Sequence, residues 1–266
     1  MIGQQSILKV IDQFNIDNFP KSTILIGDNG CGKHTLINYI SKKLNLPLIN
    51  IDHVDSEVTS DVIISPLTYI YVIDGDNLTL KQQNILLKII EEPLNNAFII
   101  ITSEYKYNLI ETVLNRCYKI QFNDYTQEEL LEFIPEKYKN NIDVTKICNT
   151  PGKLKKLDNI DFDSLYNFCI KFINKLECAS LANTLTIVDK INYNDKYDKF
   201  DLNIFLDTIL YLSFKYYIET NNKNCLFIYQ ITLNYYYKFK NKIYNKEQLM
   251  SNYLINVWQK VKNIED

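Results

Sequence analysis

Six glycines serve the whole 266-residue chain, and three of them crowd into one stretch, Gly27-Asp28-Asn29-Gly30-Cys31-Gly32-Lys33. Glycine is demanded where the backbone takes positive φ or must approach a ligand closely. A chain this sparing with glycine has placed it directly after the apolar run Thr23-Ile24-Leu25-Ile26 and before a helical pattern from Thr35 to Leu44. Buried strand, glycine turn and helix, in that order, aim backbone N–H groups and the positive end of a helix dipole at a phosphate. The turn therefore predicts a phosphate loop on a parallel sheet covered by helices.

The first half supports that architecture. Residues 4–14 carry a helical period, Pro47 to Ile51 and Thr68 to Ile73 read as strands, and Ala97 to Thr102 as a fourth. Thr79 to Glu92 reads as a helix stopped by Pro93. Strands alternating with helices argue an α/β, doubly wound parallel sheet. After Phe122 the pattern changes. Thr126-Gln127-Glu128-Glu129 is a capping box, and only helical periods follow, with long helices expected over 161–179, 201–220, 222–240 and 246–262. These shifts divide the chain into an α/β P-loop domain (1–122), a small helical lid (123–160) and an all-helical domain (161–266).

The loop has a defect. Lys33 is placed to reach the outer phosphates, and the next residue normally offers magnesium a Ser or Thr hydroxyl. Here it is His34, a poor ligand for a hard cation; Thr35 comes one position late and should face elsewhere. The apolar run Tyr69-Ile70-Tyr71-Val72-Ile73 ends in Asp74, placed to hold a metal's water shell. The position after it, where an active ATPase carries a glutamate, is Gly75, and Asp76 should point to the other side of the turn. Asp74-Gly75-Asp76-Asn77 also satisfies the preferences of a plain turn.

One arginine stands among 29 basic residues, Arg116, after Thr112-Val113-Leu114-Asn115. Arginine's planar fork meets phosphate oxygens in a way lysine cannot. The bland alternative is a surface residue binding the carbonyls at a helix end, which lysine would do as well. Composition excludes little else. The net charge of −3 gives no global basic surface, so any nucleic-acid contact is local or made through partners. No apolar stretch reaches the length of a membrane span, and no signal pattern opens the chain. The six scattered cysteines form no Cys-x-x-Cys pair and read as reduced core residues of a cytoplasmic protein, with no zinc or other metal site.

These segments resemble the clamp-loader AAA+ family, with the delta-prime subunits of bacterial DNA polymerase III as its nearest branch. Ile2-Gly3-Gln4 is similar to the family's Gly-Gln box. Asn84-Ile85-Leu86-Leu87-Lys88-Ile89-Ile90-Glu91-Glu92-Pro93 is similar to its Asn-Ala-Leu-Leu-Lys-x-Leu-Glu-Glu-Pro helix. Thr102-Ser103 falls at the sensor-1 strand end, Leu114-Asn115-Arg116-Cys117 at the Ser-Arg-Cys segment, and Thr150-Pro151-Gly152-Lys153-Leu154 at the sensor-2 segment. Asn115 replaces the family serine and Lys153 the sensor-2 arginine. Asp74 follows Lys33 by 41 positions with no cysteine between, so the four-cysteine zinc module is missing.

The resemblance implies a hetero-oligomeric machine that opens a sliding clamp and places it on primed DNA, in the cytoplasm or, for a phage or viral version, the host cytoplasm. This chain would be its stator beside gamma/tau-like and delta-like subunits. Arg116 would be a finger acting in trans, the 161–266 helices a collar, and Gly27, Gly30, Gly32, Lys33, His34, Thr35, Asp74, Thr102 and Lys153 the nucleotide-binding set. ATP would be bound and not hydrolysed. An ATP-hydrolysing motor subunit of a viral or phage clamp loader, and an interaction module that has dropped nucleotide, are the alternatives. A small-molecule kinase fits poorly, because the helical half offers no arginine for a lid.

Overall fold

The computed structural model describes residues 3–55, 67–91, 97–139, 141–192, 200–240 and 244–262. The chain forms two compact units, one of Met1–Glu132 with Thr150–Gly152, the other of Phe133–Asn149 with Lys153–Asp266.

The first unit is built on five parallel strands, β1 (Ser22–Ile26), β2 (Leu48–Ile51), β3 (Tyr69–Asp74), β4 (Ala97–Ser103) and β5 (Tyr118–Gln121), in the order β2-β3-β4-β1-β5. Side chains alternate across a strand, and both faces are dry here. Leu25, Ile70, Val72, Phe98 and Ile100 pack on one face with α1 (Gln5–Asp12) and α2 (Lys33–Leu44). Ile24, Ile26, Tyr71, Ile73, Ile99 and Ile101 pack on the other with α3 (Leu80–Glu91) and α4 (Glu111–Leu114). That is why the strands read as continuous apolar runs.

β5 carries no signal in the sequence. Only Ile120 of its four residues is buried, so this edge strand lacks an apolar run. The expected capping box is present at the start of α5 (Gln127–Leu131): Thr126 accepts from Glu129 N–H and the Glu129 carboxylate accepts from Thr126 N–H. The predicted stop of α3 at Glu92-Pro93 lies outside the described residues, as does Ile2. β1 lies between β4 and β5, where the order of connection reverses, and α/β sheets bind ligands at the carboxyl ends beside such a point.

The second unit holds α6 (Ile142–Ile147), α8 (Phe162–Lys175), α9 (Leu181–Leu185), α10 (Leu202–Thr220), α11 (Lys223–Lys240) and α12 (Lys246–Val261). The division between units falls inside α7 (Pro151–Lys156), after Gly152. The four long helices match the expected spans, and three of them open on a capping side chain: Asp161 caps α8, Asp201 caps α10 and Asn245 caps α12. Phe162, Leu165, Cys169, Phe172, Ile173 and Leu176 are buried, so the stripe on α8 is this unit's own core. A two-residue parallel pairing of β6 (Ile191–Asn192) with β7 (Phe200–Asp201) interrupts what the sequence presents as purely helical; two residues are too few to show a period.

Five of the six cysteines are buried thiols, and Cys178 is exposed, which corrects its reading as a core residue. It lies just past the C-terminus of α8, beyond the apolar stripe. Among the described residues no group of His, Cys, Asp and Glu could hold a metal ion, and no helix is long and apolar enough to cross a membrane.

Candidate nucleotide site

Four of the parallel strands deliver the site residues from their carboxyl ends. β1 runs into the glycine loop, β3 into Asp74-Gly75-Asp76, β4 into Ser103-Glu104, and β5 into Phe122. Two backbone bonds register these ends, Gly27 N–H to the Ser103 carbonyl at 3.0 Å and Phe122 N–H to the Ile26 carbonyl at 2.8 Å. Gly30 and Gly32 adopt φ of 81° and 107°, which an L side chain resists. Gly27 is fixed by space instead: a Cβ there would sit 2.6 Å from Phe122 Cβ and 2.9 Å from Cys31 Sγ.

The loop carbonyls are all engaged. Lys33 Nζ donates to the carbonyls of Gly27 and Asp28, and Cys31 N–H donates to that of Asp28 at 3.1 Å. The Asn29 carbonyl accepts from Thr150 Oγ1 at 2.8 Å, that of Gly30 from Gly152 N–H at 2.9 Å, and that of Cys31 from Tyr125 Oη at 2.8 Å. By contrast the N–H groups of Asn29, Gly30 and Gly32 meet no acceptor among the described residues, while that of Lys33 faces the Cys31 sulfur. Carbonyls turned inward and donors left open make a concavity suited to an anion. Burial pushes the Cys31 thiol up, so no thiolate competes with that anion.

His34 and Thr35 are both exposed on the first turn of α2. Asp74 is exposed and accepts from Asp76 N–H at 3.2 Å and from the Asn77 side-chain amide. Asp76 is engaged by the end of β4: Ser103 Oγ lies 2.5 Å from it, Glu104 N–H 2.9 Å and Asn108 Nδ2 2.7 Å. It ties the β3 turn to that strand end. Gly75 is buried against Ile101 and the Thr102 carbonyl, where a Cβ would meet atoms at 2.9 and 3.0 Å, so a side chain there would crowd both. Thr102 is buried, with Oγ1 3.5 Å from the Ile73 carbonyl. The residues present suit a phosphate group and do not suit a hydrated magnesium ion poised for hydrolysis.

Two site candidates have partners of their own. Lys153 Nζ, in the second unit, lies 2.7 Å from Asp207 Oδ2 on α10, with both side chains mostly buried, and 3.1 Å from Asn149 Oδ1. Arg116 is 43% exposed, its Nε 2.7 Å from Glu91 Oε1 and its Nη1 3.1 Å from the Thr112 carbonyl. The helix-end contact of the bland reading is therefore real, and the ion pair is additional to it.

Residues 45–126 match the family described as DNA polymerase III, delta subunit. The match covers just under a third of the chain, takes in Asp74, Thr102 and Arg116, and begins after the glycine loop. Over that stretch the chain is similar to this family. No curated protein matches it. Among solved structures, a point mutant of Thermotoga maritima RuvB is similar at 16% identity, over 82% of this chain and 78% of that one, with a TM-score of 0.50. A second point mutant of the same protein gives 15%, 82%, 77% and 0.50 in the same order. A DNA polymerase III gamma subunit-related protein of T. maritima aligns over 97% of this chain and 99% of its own, at 14% identity and a TM-score of 0.47. The fold shared with the RuvB structures is a parallel α/β sheet with a helical region after it.

Sequence reasoning missed the clamps on the loop. Tyr125 gave no signal, and Thr150 and Gly152 were visible only through family likeness. Gly152 nevertheless had a physical signal, as the lone glycine after residue 75. A Cβ on it would lie 2.5 Å from Gly30 Cα, so it is required by a backbone far away in the chain.

Proposed function

We propose that this chain is a delta-prime-like stator of a clamp loader, able to hold a phosphate group, unable to hydrolyse ATP, and lending Arg116 to the ATP site of a neighbouring subunit. One observation carries the reading. The chain's own site has an exposed His34 at the hydroxyl position, a spatially enforced Gly75 at the base position and an Asp76 spent on structure, while its single arginine stands exposed at an edge. A finger serves another subunit's nucleotide, so it can outlast the decay of the local site.

In this reading the partners are gamma/tau-like and delta-like subunits, a sliding clamp and, through the complex, primed DNA. The α/β domain of 1–122, the lid of 123–160 and the collar of 161–266 would be its working parts. The test is DNA- and clamp-stimulated ATP turnover by the reconstituted complex. Arg116→Ala is expected to cut turnover at the neighbouring site by up to about 10³-fold, as loss of a finger does in related phosphoryl transfer, and Arg116→Lys nearly as much. Unchanged turnover removes the stator reading. The isolated chain is expected to release no phosphate above a Lys33→Ala control; steady release would favour the motor-subunit alternative instead.

A further inference from the structure

Arg116 does not stand on a free loop. The segment that carries it is fastened by α3 at two levels, Gln83 and Glu91, about 12 Å apart along that helix. Gln83, itself buried, donates from Nε2 to the Asn108 carbonyl at 2.9 Å and accepts from Ile110 N–H at 2.8 Å, fixing the backbone that leads into α4. Glu91, the last residue of α3, reaches the guanidinium itself at 2.7 Å. An exposed ion pair between the two would add little stability, and any of the chain's lysines could form it.

The chemistry of the guanidinium gives the pair a different use. Of its five N–H donors, the structure engages one on Nη1 with Thr112, and the Glu91 carboxylate lies 2.7 Å from Nε as an ion pair. The other three donors, on Nη1 and Nη2, meet no acceptor among the described residues. A carboxylate this close to Nε covers the side-on edge of the fork and leaves the end-on edge, formed by Nη1 and Nη2, for a phosphate.

We propose that Glu91 is the positioning residue of Arg116, its carboxylate beside Nε holding the guanidinium so that the end-on fork is presented outward at a set angle. The proposal rests on Arg116 acting on a neighbour's nucleotide; Glu91 touches no substrate and works only through the arginine.

Two measurements separate the failure of this idea from the failure of that reading. The first uses the intact chain alone. A protein with one arginine gives one Nε–H signal in a ¹⁵N-correlated spectrum, and Glu91→Ala is expected to shift it and speed its exchange with water. A signal unmoved by Glu91→Ala overturns the proposal, whatever Arg116 does in the complex. The second is turnover by the reconstituted complex. Glu91→Ala is expected to lower kcat about tenfold, the scale of a misaimed catalytic group, with KM nearly unchanged. Glu91→Gln, which keeps an acceptor oxygen in place, should recover most of the loss. Glu91→Ala/Arg116→Ala should be no slower than Arg116→Ala alone. Turnover at or above wild type in Glu91→Ala, with Arg116→Ala impaired, overturns the positioning role alone. If Arg116→Ala itself turns over normally, the finger reading falls and this inference with it.

Discussion

The glycine loop and the core of the helical unit are both held by polar contacts, but of opposite kinds. Around the loop nearly every bond involves backbone, and the side chains that matter are absent ones: Gly27, Gly75 and Gly152 sit where a Cβ would be driven to 3.0 Å or less from its neighbours. In the helical unit one side chain gathers three elements. Asp143 on α6 accepts from Tyr166 Oη on α8 at 2.7 Å, Tyr211 Oη on α10 at 2.5 Å and Lys215 Nζ on α10 at 2.9 Å. A backbone-built site fixes where N–H donors point and tolerates no added atom. A side-chain-built one tolerates shape changes and fails when its charge is removed.

The largest expected effect breaks the first kind. Gly152→Ala places a methyl 2.5 Å from Gly30 Cα, with backbone on both sides and no flexible side chain to yield. It is expected to cost about 2–4 kcal/mol by denaturant unfolding and to abolish any nucleotide crosslinking to the loop. A loss below about 0.5 kcal/mol, the range of an ordinary surface change, would show that the loop is not held this way.

Next comes the side-chain knot. Asp143→Ala leaves two tyrosine hydroxyls and an ammonium without their common acceptor, at an expected cost of about 2–3 kcal/mol. Burial alone would raise this carboxyl, but the hydrogen bonds from Tyr211 and Tyr166, and the charge of Lys215, hold it at about 2, below the ordinary 3.8. Because the folded value is the lower one, the stabilisation is fully present above the ordinary value and is lost as pH falls toward 2. Asp143→Asn should flatten the stability curve between about pH 4 and 2 relative to wild type; an unchanged curve would mean that other carboxylates set the acid limit.

A smaller effect sharpens the contrast. Thr150→Val keeps the shape and removes the one hydroxyl donor to the Asn29 carbonyl. About 1 kcal/mol is expected by equilibrium unfolding, with faster amide exchange confined to residues 28–33. Exchange accelerating throughout the sheet would mean that Thr150 supports more than the loop.

The smallest belongs to the exposed pair. Glu91→Ala and Arg116→Ala are each expected to change stability by less than about 0.5 kcal/mol, since 44% and 43% of these side chains face water. A loss several times larger in thermal unfolding would return Arg116 to a structural role.

Much of this was legible in the sequence because it depends on local rules. Strands buried on both faces must be apolar throughout, so β1, β3 and β4 announced themselves, whereas β5 pairs at an edge with one buried residue and did not. Helix caps lie within four residues of what they cap, so Asp161, Asp201 and Thr126 were readable. A glycine loop between strand and helix names its ligand class, and one arginine among lysines names itself. What the tertiary structure alone decided is pairing at long range: Gly152 against Gly30, Tyr125 on Cys31, Asp76 on the end of β4, Lys153 with Asp207 and Glu91 with Arg116. No local spacing encodes which of many polar groups will meet, because that follows from how strands distant in the chain are laid side by side. The sequence determined that a glycine turn between strand and helix and a lone guanidinium exist. Only the packed sheet decided that the turn's carbonyls are locked, its donors left open and the guanidinium held at one edge by α3.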